Sequence, residues 1–349
     1  MSLKIPYLTL KEKIKQALLN AGLTDEQAEI CAEVHTQSSA DGIESHGLNR
    51  VPRLIEYINK GWINLHGKPT LTGAKGAVEN YDGNLGLGII NAIFCTDRVM
   101  ELARIHGIGC VALKNTTHWM RGGTYAWRMA ESGFAGICWT NTESCMPLWG
   151  SDEEGVGNNP FCIAIPREDG PVVLDMAMSQ FSYGKIGVYR LKGEQLPYPG
   201  GFDVNGNLTT DPGTIEKTRR ILPAGYWKGS GMAIALDLAA ALMANGNSGS
   251  DMDERNQGSC TGCCQIFIAY DPYLFGIKAE IQKMLNRRIE AVHSSHPEHK
   301  NGKISYPGER TLAARKKSNL EGIEVNEKIW NQVCTAAYGD LNITDIAST

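Results

Sequence analysis

The sequence predicts an α/β protein with a small helical unit at its N-terminus. Three observations lead there. Residues 1–62 carry helix-start signals and helical apolar spacing. From residue 63 onward, short apolar runs alternate with helix-length segments, as in strands joined through helices. Glycine is in excess, 39 of 349 residues or about 11%, against a usual ~7%. With no collagen-like period, that excess marks tight turns and close backbone approaches.

Taken in order, Thr9 and Glu12 have the spacing of a capping box, in which each side chain satisfies an orphan amide at a helix start. Leu10, Ile14, Ala17 and Leu18 then form one stripe, and Gly22 supplies the stop. Thr24 to Gln27 repeats the start signal and leads through Ala28, Cys31, Ala32 and Val34. A third helix is expected from about 50 to 59, ending before Gly61. A strand follows at 76–82 and a helix at 88–106. Further strands are expected at 108–115, 134–141, 161–166 and 171–177. Their apolar runs predict strands covered on both faces. Pro197 to Pro212 is rich in Gly, Pro and Asn and reads as a loop. Residues 229–246 read as a buried helix, 263–271 as a strand and 276–294 as a helix. One more helix lies after 320, before a polar tail. The chain therefore divides into a helical unit (1–62) packing with the C-terminal helices, an α/β core (63–320), and a terminal helix and tail (321–349).

Charge narrows the function classes. Lys and Arg total 34 against 38 Asp and Glu, a net charge of −4. A nucleic-acid binder or a protein of anionic membrane surfaces is usually basic, so neither is expected. The most apolar stretch, Met232 to Ala244, contains Asp237 and falls short of the ~20 residues that span a bilayer. The N-terminus reads as an amphipathic helix rather than a signal peptide. Ten irregularly spaced cysteines then read as reduced thiols in the cytoplasm. Cys260, Cys263 and Cys264 resemble half a zinc site, but no second C-x-x-C exists to complete four ligands. His293, His296 and His299 lie in a polar stretch that reads as solvated. No metal is expected.

No phosphate-binding P-loop is present, and the G-x-G-x-x-G dinucleotide turn fails at its best candidates. Gly83, Gly86 and Gly88 have the wrong spacing, and Gly229 and Gly231 lack the third glycine. Two histidine segments carry more. Ser45-His46-Gly47-Leu48-Asn49-Arg50 places an imidazole, which titrates near neutrality and can protonate a carbonyl oxygen, four residues before a guanidinium that can clamp a carboxylate. A helix beginning near His46 would put both on one face. His118 follows a strand end, where α/β sheets place ligand contacts. Each segment alone also fits a capping or structural histidine.

Together these segments resemble the non-Rossmann malate/L-lactate dehydrogenase family, and within it the 2,3-diketo-L-gulonate reductase branch. The matching stretches are SHGLNR (45–50), HWMRGG (118–123), GICWTN (136–141), LDMAMSQFSYGK (174–185), GGFD (200–203), GNLT (206–209), RRILPAGYWKGSGMAIALD (219–237), QIFIA (265–269) and PGE (307–309), in family order. Three departures from the branch pattern are Leu148, Ala177 and Glu309. The resemblance implies a mixed sheet flanked by helices, L-sulfolactate dehydrogenase-like, and a homodimer. It implies reduction of a 2-oxo acid, 2,3-diketo-L-gulonate or similar, with NAD as cofactor and NADP the alternative. Malate/L-lactate or ureidoglycolate dehydrogenase, or cyclic imino acid reductase, are the other activities it allows. His46 would be the proton donor and His118 the second catalytic histidine. Ser45, Asn49 and Arg50 would hold substrate. Thr140, Asn141 and Pro160 would form the nicotinamide pocket. The remaining cofactor contacts would come from Pro171, Val172, Val173, Leu174, Asp175, Met176 and Ala177, from Trp227 and Lys228, and from Gly308, Glu309 and Arg310.

Overall fold

A computed structural model describes residues 2–299 and 302–342. It opens on a strand that no local pattern announces. β1 (Ser2–Ile5) pairs antiparallel with β13 (Ile323–Asn326), so the two ends of the chain close on each other. Pro6 then precedes α1 (Tyr7–Asn20), a helix that starts earlier than expected. Thr9 consequently lies inside the first turn, and the Thr9–Glu12 capping box does not form. The second box does form: at the start of α2 (Asp25–Ala40), Thr24 Oγ1 accepts from Gln27 N and Gln27 Oε1 accepts from Thr24 N. α3 (Val51–Asn59) stops before Gly61, whose φ of +70° suits glycine. Leu10, Ile14 and Leu18 pack with Val51 and Ile55, and with Ile329 and Val333 of α12 (Glu327–Ala337). The expected polar tail beyond 342 lies outside the described residues.

The central sheet has seven strands: β2 (Thr70–Lys75), β3 (Val78–Asp82), β4 (Ile108–Thr116), β5 (Ala135–Thr140), β8 (Phe161–Ile165), β9 (Val172–Met176) and β12 (Cys263–Tyr270). Their order is β2-β3-β4-β12-β5-β8-β9. Only β3 and β4 run parallel, and α4 (Gly88–His106) makes the crossover a parallel pair requires. The other neighbours are antiparallel, so the sheet is mixed. Short segments β6 (Met146–Pro147), β7 (Glu154–Val156), β10 (Gly201–Phe202) and β11 (Leu208–Thr209) form two small hairpins outside it.

The apolar runs are explained by the pleat. Successive side chains point to opposite faces, and here both faces are covered. On one face Val111, Leu113 and Phe267 meet α4 and α5 (Gly122–Glu131). On the other, Ala112 and Ile266 meet Ala233, Leu236 and Ala240 of α8 (Trp227–Ala244). α6 (Tyr183–Lys192) and α7 (Pro212–Thr218) extend that layer through Ile186 and Ile215. α9 (Gly249–Arg255), α10 (Lys278–His293) and α11 (Glu309–Glu321) complete the chain. α8 departs from expectation in one respect: only one flank is buried, and Leu238 and Leu242 are 60% and 80% exposed. Among the described residues no helix is long and apolar enough to cross a membrane.

Candidate active site

A cleft of about 1200 Å³ opens where β4 and β9 end, beneath the N-terminal helical segments. Ser45, His46, Arg50, His118, Arg121 and Asp175 line it. Ser45 and His46 stand on a single 3-10 turn, Glu44–His46, and Arg50 ends a second one, Leu48–Arg50. Gly47 breaks the backbone between them at φ −91° and ψ −131°. His46 and Arg50 therefore do not share the one continuous helical face that the sequence predicts, although both reach the cleft. α2 holds the break in place. A Cβ at Gly47 would lie 2.1 Å from Ser39 Oγ, which accepts from Leu48 N at 2.8 Å. The Gly47 carbonyl accepts from His35 Nδ1 at 3.0 Å. Asn49 is half-buried and does not line the cleft.

His46 and His118 are stacked with ring centroids 5.9 Å apart, yet their hydrogen bonds differ in kind. His118 Nδ1 accepts from the Met120 N–H at 2.9 Å. A peptide N–H can only donate, so Nδ1 carries a lone pair and the ring proton sits on Nε2. His46 Nδ1 instead faces Ser45 Oγ at 2.9 Å. A hydroxyl both donates and accepts, so it can follow this ring through either charge state. Burial holds both imidazoles below their usual range, and the Arg50 charge adds to the effect. At His46, Asp175 pulls the other way and favours the charged ring.

The expected cofactor segments lie at different depths. Thr140 and Pro160 line the cleft, with Asp175, Met176 and Ala177 beside them. Asn141 stands behind the wall: its Nδ2 donates to Asp237 and to the Asn247 carbonyl, and its Oδ1 accepts from Cys264 N. Its side chain is thus committed to the scaffold. β9 is an edge strand, and the other two segments close on it. Val173 N donates to the Pro307 carbonyl at 3.0 Å and Ala224 N to the Met178 carbonyl at 2.8 Å. The run 171–177 thereby touches the Gly308 turn through Val173, and the residue after the run, Met178, touches the turn leading to Trp227 and Lys228. Gly308, at φ +95°, lies so close that a Cβ would sit 3.1 Å from Val173 N. Trp227 and Lys228 are exposed in the single chain, as is Arg310. Glu309 is turned aside, accepting from His293 Nε2 at 2.9 Å and from Lys303 Nζ at 3.0 Å.

The histidine run is exposed at His293, His296 and His299 alike, and His293 additionally meets Glu309. Cys260 lines the cleft, and Cys263 and Cys264 are fully buried. Among the described residues no group of three or more His, Cys, Asp or Glu is arranged to hold a metal. Sequence reasoning missed Asp41, which pairs with Arg121, and gave no role to Arg121 although it stands within HWMRGG. It also missed Arg53 and the α6 wall, where Tyr183 and Lys185 face the cleft.

The malate/L-lactate dehydrogenase family model matches residues 5–334. A 2,3-diketo-L-gulonate reductase from Klebsiella pneumoniae is 42% identical over 331 residues, covering 95% of this chain and 99% of that protein. Among solved structures, malate dehydrogenase from Pyrococcus horikoshii superposes with a TM-score of 0.88 at 25% identity, covering 98% of this chain and 97% of the other. Sulfolactate dehydrogenase from Methanocaldococcus jannaschii gives 0.84 at 28% identity, covering 98% of each chain.

Proposed function

The chain belongs to the malate/L-lactate dehydrogenase family, and from this we propose that it reduces 2,3-diketo-L-gulonate, or a similar sugar-derived 2-oxo acid, with His46 as proton donor. An oxidoreductase acting on a small 2-oxo or 2-hydroxy acid is what the family and its relatives establish. The choice of acid rests on the 42% identical relative of that name. NAD is the proposed cofactor; residues of the 171–177 segment would hold it, and its reduced form, NADH, would supply hydride to the carbonyl carbon.

The observation that carries the assignment of roles is the difference between the two histidines. His118 has given its Nδ1 lone pair to Met120 N–H. It can donate a hydrogen bond from Nε2 to a substrate oxygen, but losing that proton would leave an imidazolate. His46 can hold both protons, one toward Ser45 Oγ and one toward the cleft. As hydride reaches carbon, Nε2 of His46 gives its proton to the carbonyl oxygen and the ring becomes neutral. Arg50 clamps the carboxylate, and that anion offsets the cation that disfavours protonated His46. The proton and the substrate therefore arrive as a pair.

His46→Gln should lower kcat for NADH oxidation by about 10²–10⁴-fold, while cofactor binding, read by fluorescence, survives. His118→Gln, which keeps a donor, should mainly raise KM. Full turnover by His46→Gln would overturn the assignment. A panel of 2-oxo acids with NADH and NADPH, ranked by kcat/KM, tests substrate and cofactor together. We place the protein in the cytoplasm on its ten cysteines, all unpaired. We propose a homodimer on the exposed apolar stripe of α8.

A further inference from the structure

From the cleft wall inward runs a chain of charges. The Arg121 side chain, 5% exposed, stands between the carboxylates of Asp41, 1% exposed, and Asp175, 25% exposed. Its Nη1 donates to Asp41 Oδ2 and its Nε to Asp175 Oδ2 at 3.4 Å. That same Asp175 oxygen accepts from Gly123 N at 3.1 Å, in the first turn of α5, and the other accepts from Cys162 Sγ at 3.3 Å. Asp41 is itself gripped by Arg315 of α11, Nε to Oδ1 at 2.8 Å and Nη2 to Oδ2 at 3.1 Å, and by Gln37 Nε2 at 2.7 Å. Arg315 reaches on to Glu131 at 3.0 Å.

A clamp between α2 and α11 is complete with Asp41 and the two nitrogens of Arg315. Arg121 adds something the clamp does not need: a second cation, itself lining the cleft, whose Nε takes part of the Asp175 carboxylate. We propose, resting on His46 as the proton donor, that Arg121 and Asp41 are positioning residues that set how much of the Asp175 charge reaches His46. Arg121 shares the Asp175 carboxylate and so weakens its pull on the ring. Asp41 neutralises Arg121 and so limits that weakening.

The charged groups facing His46 come from every element around it. His35 comes from α2, Arg50 and Arg53 from the segment leading into and through α3, His118 and Arg121 from the β4–α5 turn, and Asp175 from β9. α6 packs against Ser45 through Gly184 and contributes Lys185, with Lys192 3.7 Å from Glu44. Asp175 favours the imidazolium, while Arg50 and Arg121 oppose it. Removing Arg121 and removing its counter-charge Asp41 must therefore act with opposite sign.

The test is the pH dependence of kcat/KM for 2-oxo acid reduction, followed by NADH absorbance, with unfolding curves to show that each variant is folded. Arg121→Met frees Asp175 and should move the descending limb up by about one pH unit. Asp41→Asn leaves Arg121 uncompensated and should move it down. Because Asp41 acts through Arg121, the double variant should stay with Arg121→Met; it also serves if Asp41→Asn alone fails to fold. Arg121→Lys keeps the charge but cannot span two carboxylates, so it should not restore the wild-type limb. Limbs that superimpose on wild type, or shifts of the same sign, overturn the proposal. If the limbs move as stated but His46→Gln still turns over, the fault lies in the proton-donor assignment instead.

Discussion

At the scale of single residues, the proposed mechanism makes protonated His46 costly until a bound carboxylate offsets that cost. Burial lowers the proton affinity of the ring most, and the neighbouring Arg50 lowers it further. Because the folded-state proton affinity is depressed, the free enzyme loses its imidazolium at a pH below the usual 6.5. The kcat/KM for reduction should therefore fall as pH rises through neutrality, tending to tenfold per unit. Arg50→Met removes the cation, so the limb should move to higher pH while the carboxylate loses its clamp. Loss of a charge-assisted hydrogen bond, about 1.5–3 kcal/mol, corresponds to a KM increase of roughly ten- to a hundredfold. A variant with raised KM and an unmoved limb would separate the clamp from the electrostatics and contradict their coupling. Proton uptake on substrate binding, measured by calorimetry in buffers of different ionisation enthalpy, provides an independent check.

At the scale of elements, the histidine turn is held by close backbone approach on two sides. α6 meets it through Gly184, where a Cβ would lie 2.5 Å from Ser45 Cβ. Gly184→Ala must push α6 from the turn, carrying Tyr183 and Lys185 with it. We expect a stability loss of about 1–3 kcal/mol in thermal unfolding, together with a higher KM. An unchanged KM would mean that α6 does not shape the substrate pocket. These contacts also mark what the sequence could and could not tell. β4, β5, β12 and α4 were legible because each carries its own apolar pattern over many residues. β1 was not: four residues have too little period to read, and their partner lies at 323–326. α11 was missed because none of its residues is buried, leaving no stripe to find. α5 opens on two glycines, which are poor helix formers. In the site, His46, Arg50 and His118 could be found because residue type and local spacing announce them. Asp41 and Arg315 carry no such mark, since a lone charge becomes meaningful only beside a partner 274 residues away.

At the scale of the whole molecule, α8 is the element that a single chain does not explain. Trp227, Gly231, Ile234, Leu238 and Leu242 recur at i, i+4, i+7, i+11 and i+15, one stripe of the helix, opposite Ala233, Leu236 and Ala240 in the core. A helix apolar all round belongs in an interior, so a water-facing flank of this length calls for a cover. In the proposed homodimer a second copy would supply one, because a two-fold contact pairs the same self-complementary patch from each chain. The stripe begins at Trp227, on the turn that Ala224 ties to Met178 beside β9. Pairing along α8 would therefore also steady the cofactor-side segment. Leu238→Asp places a charge at the centre of the stripe, 60% exposed in the single chain, where it costs the monomer little. If the proposed dimer forms through α8, sedimentation should show a dimer for the wild type and a monomer for this variant, with unfolding no longer dependent on protein concentration. NADH affinity should fall as well, although no proposed cofactor contact has been altered. A monomeric wild type, or a dimer that survives Leu238→Asp, would move the interface elsewhere. A monomeric variant with unchanged NADH affinity would show that the helix joins the subunits without shaping the cleft.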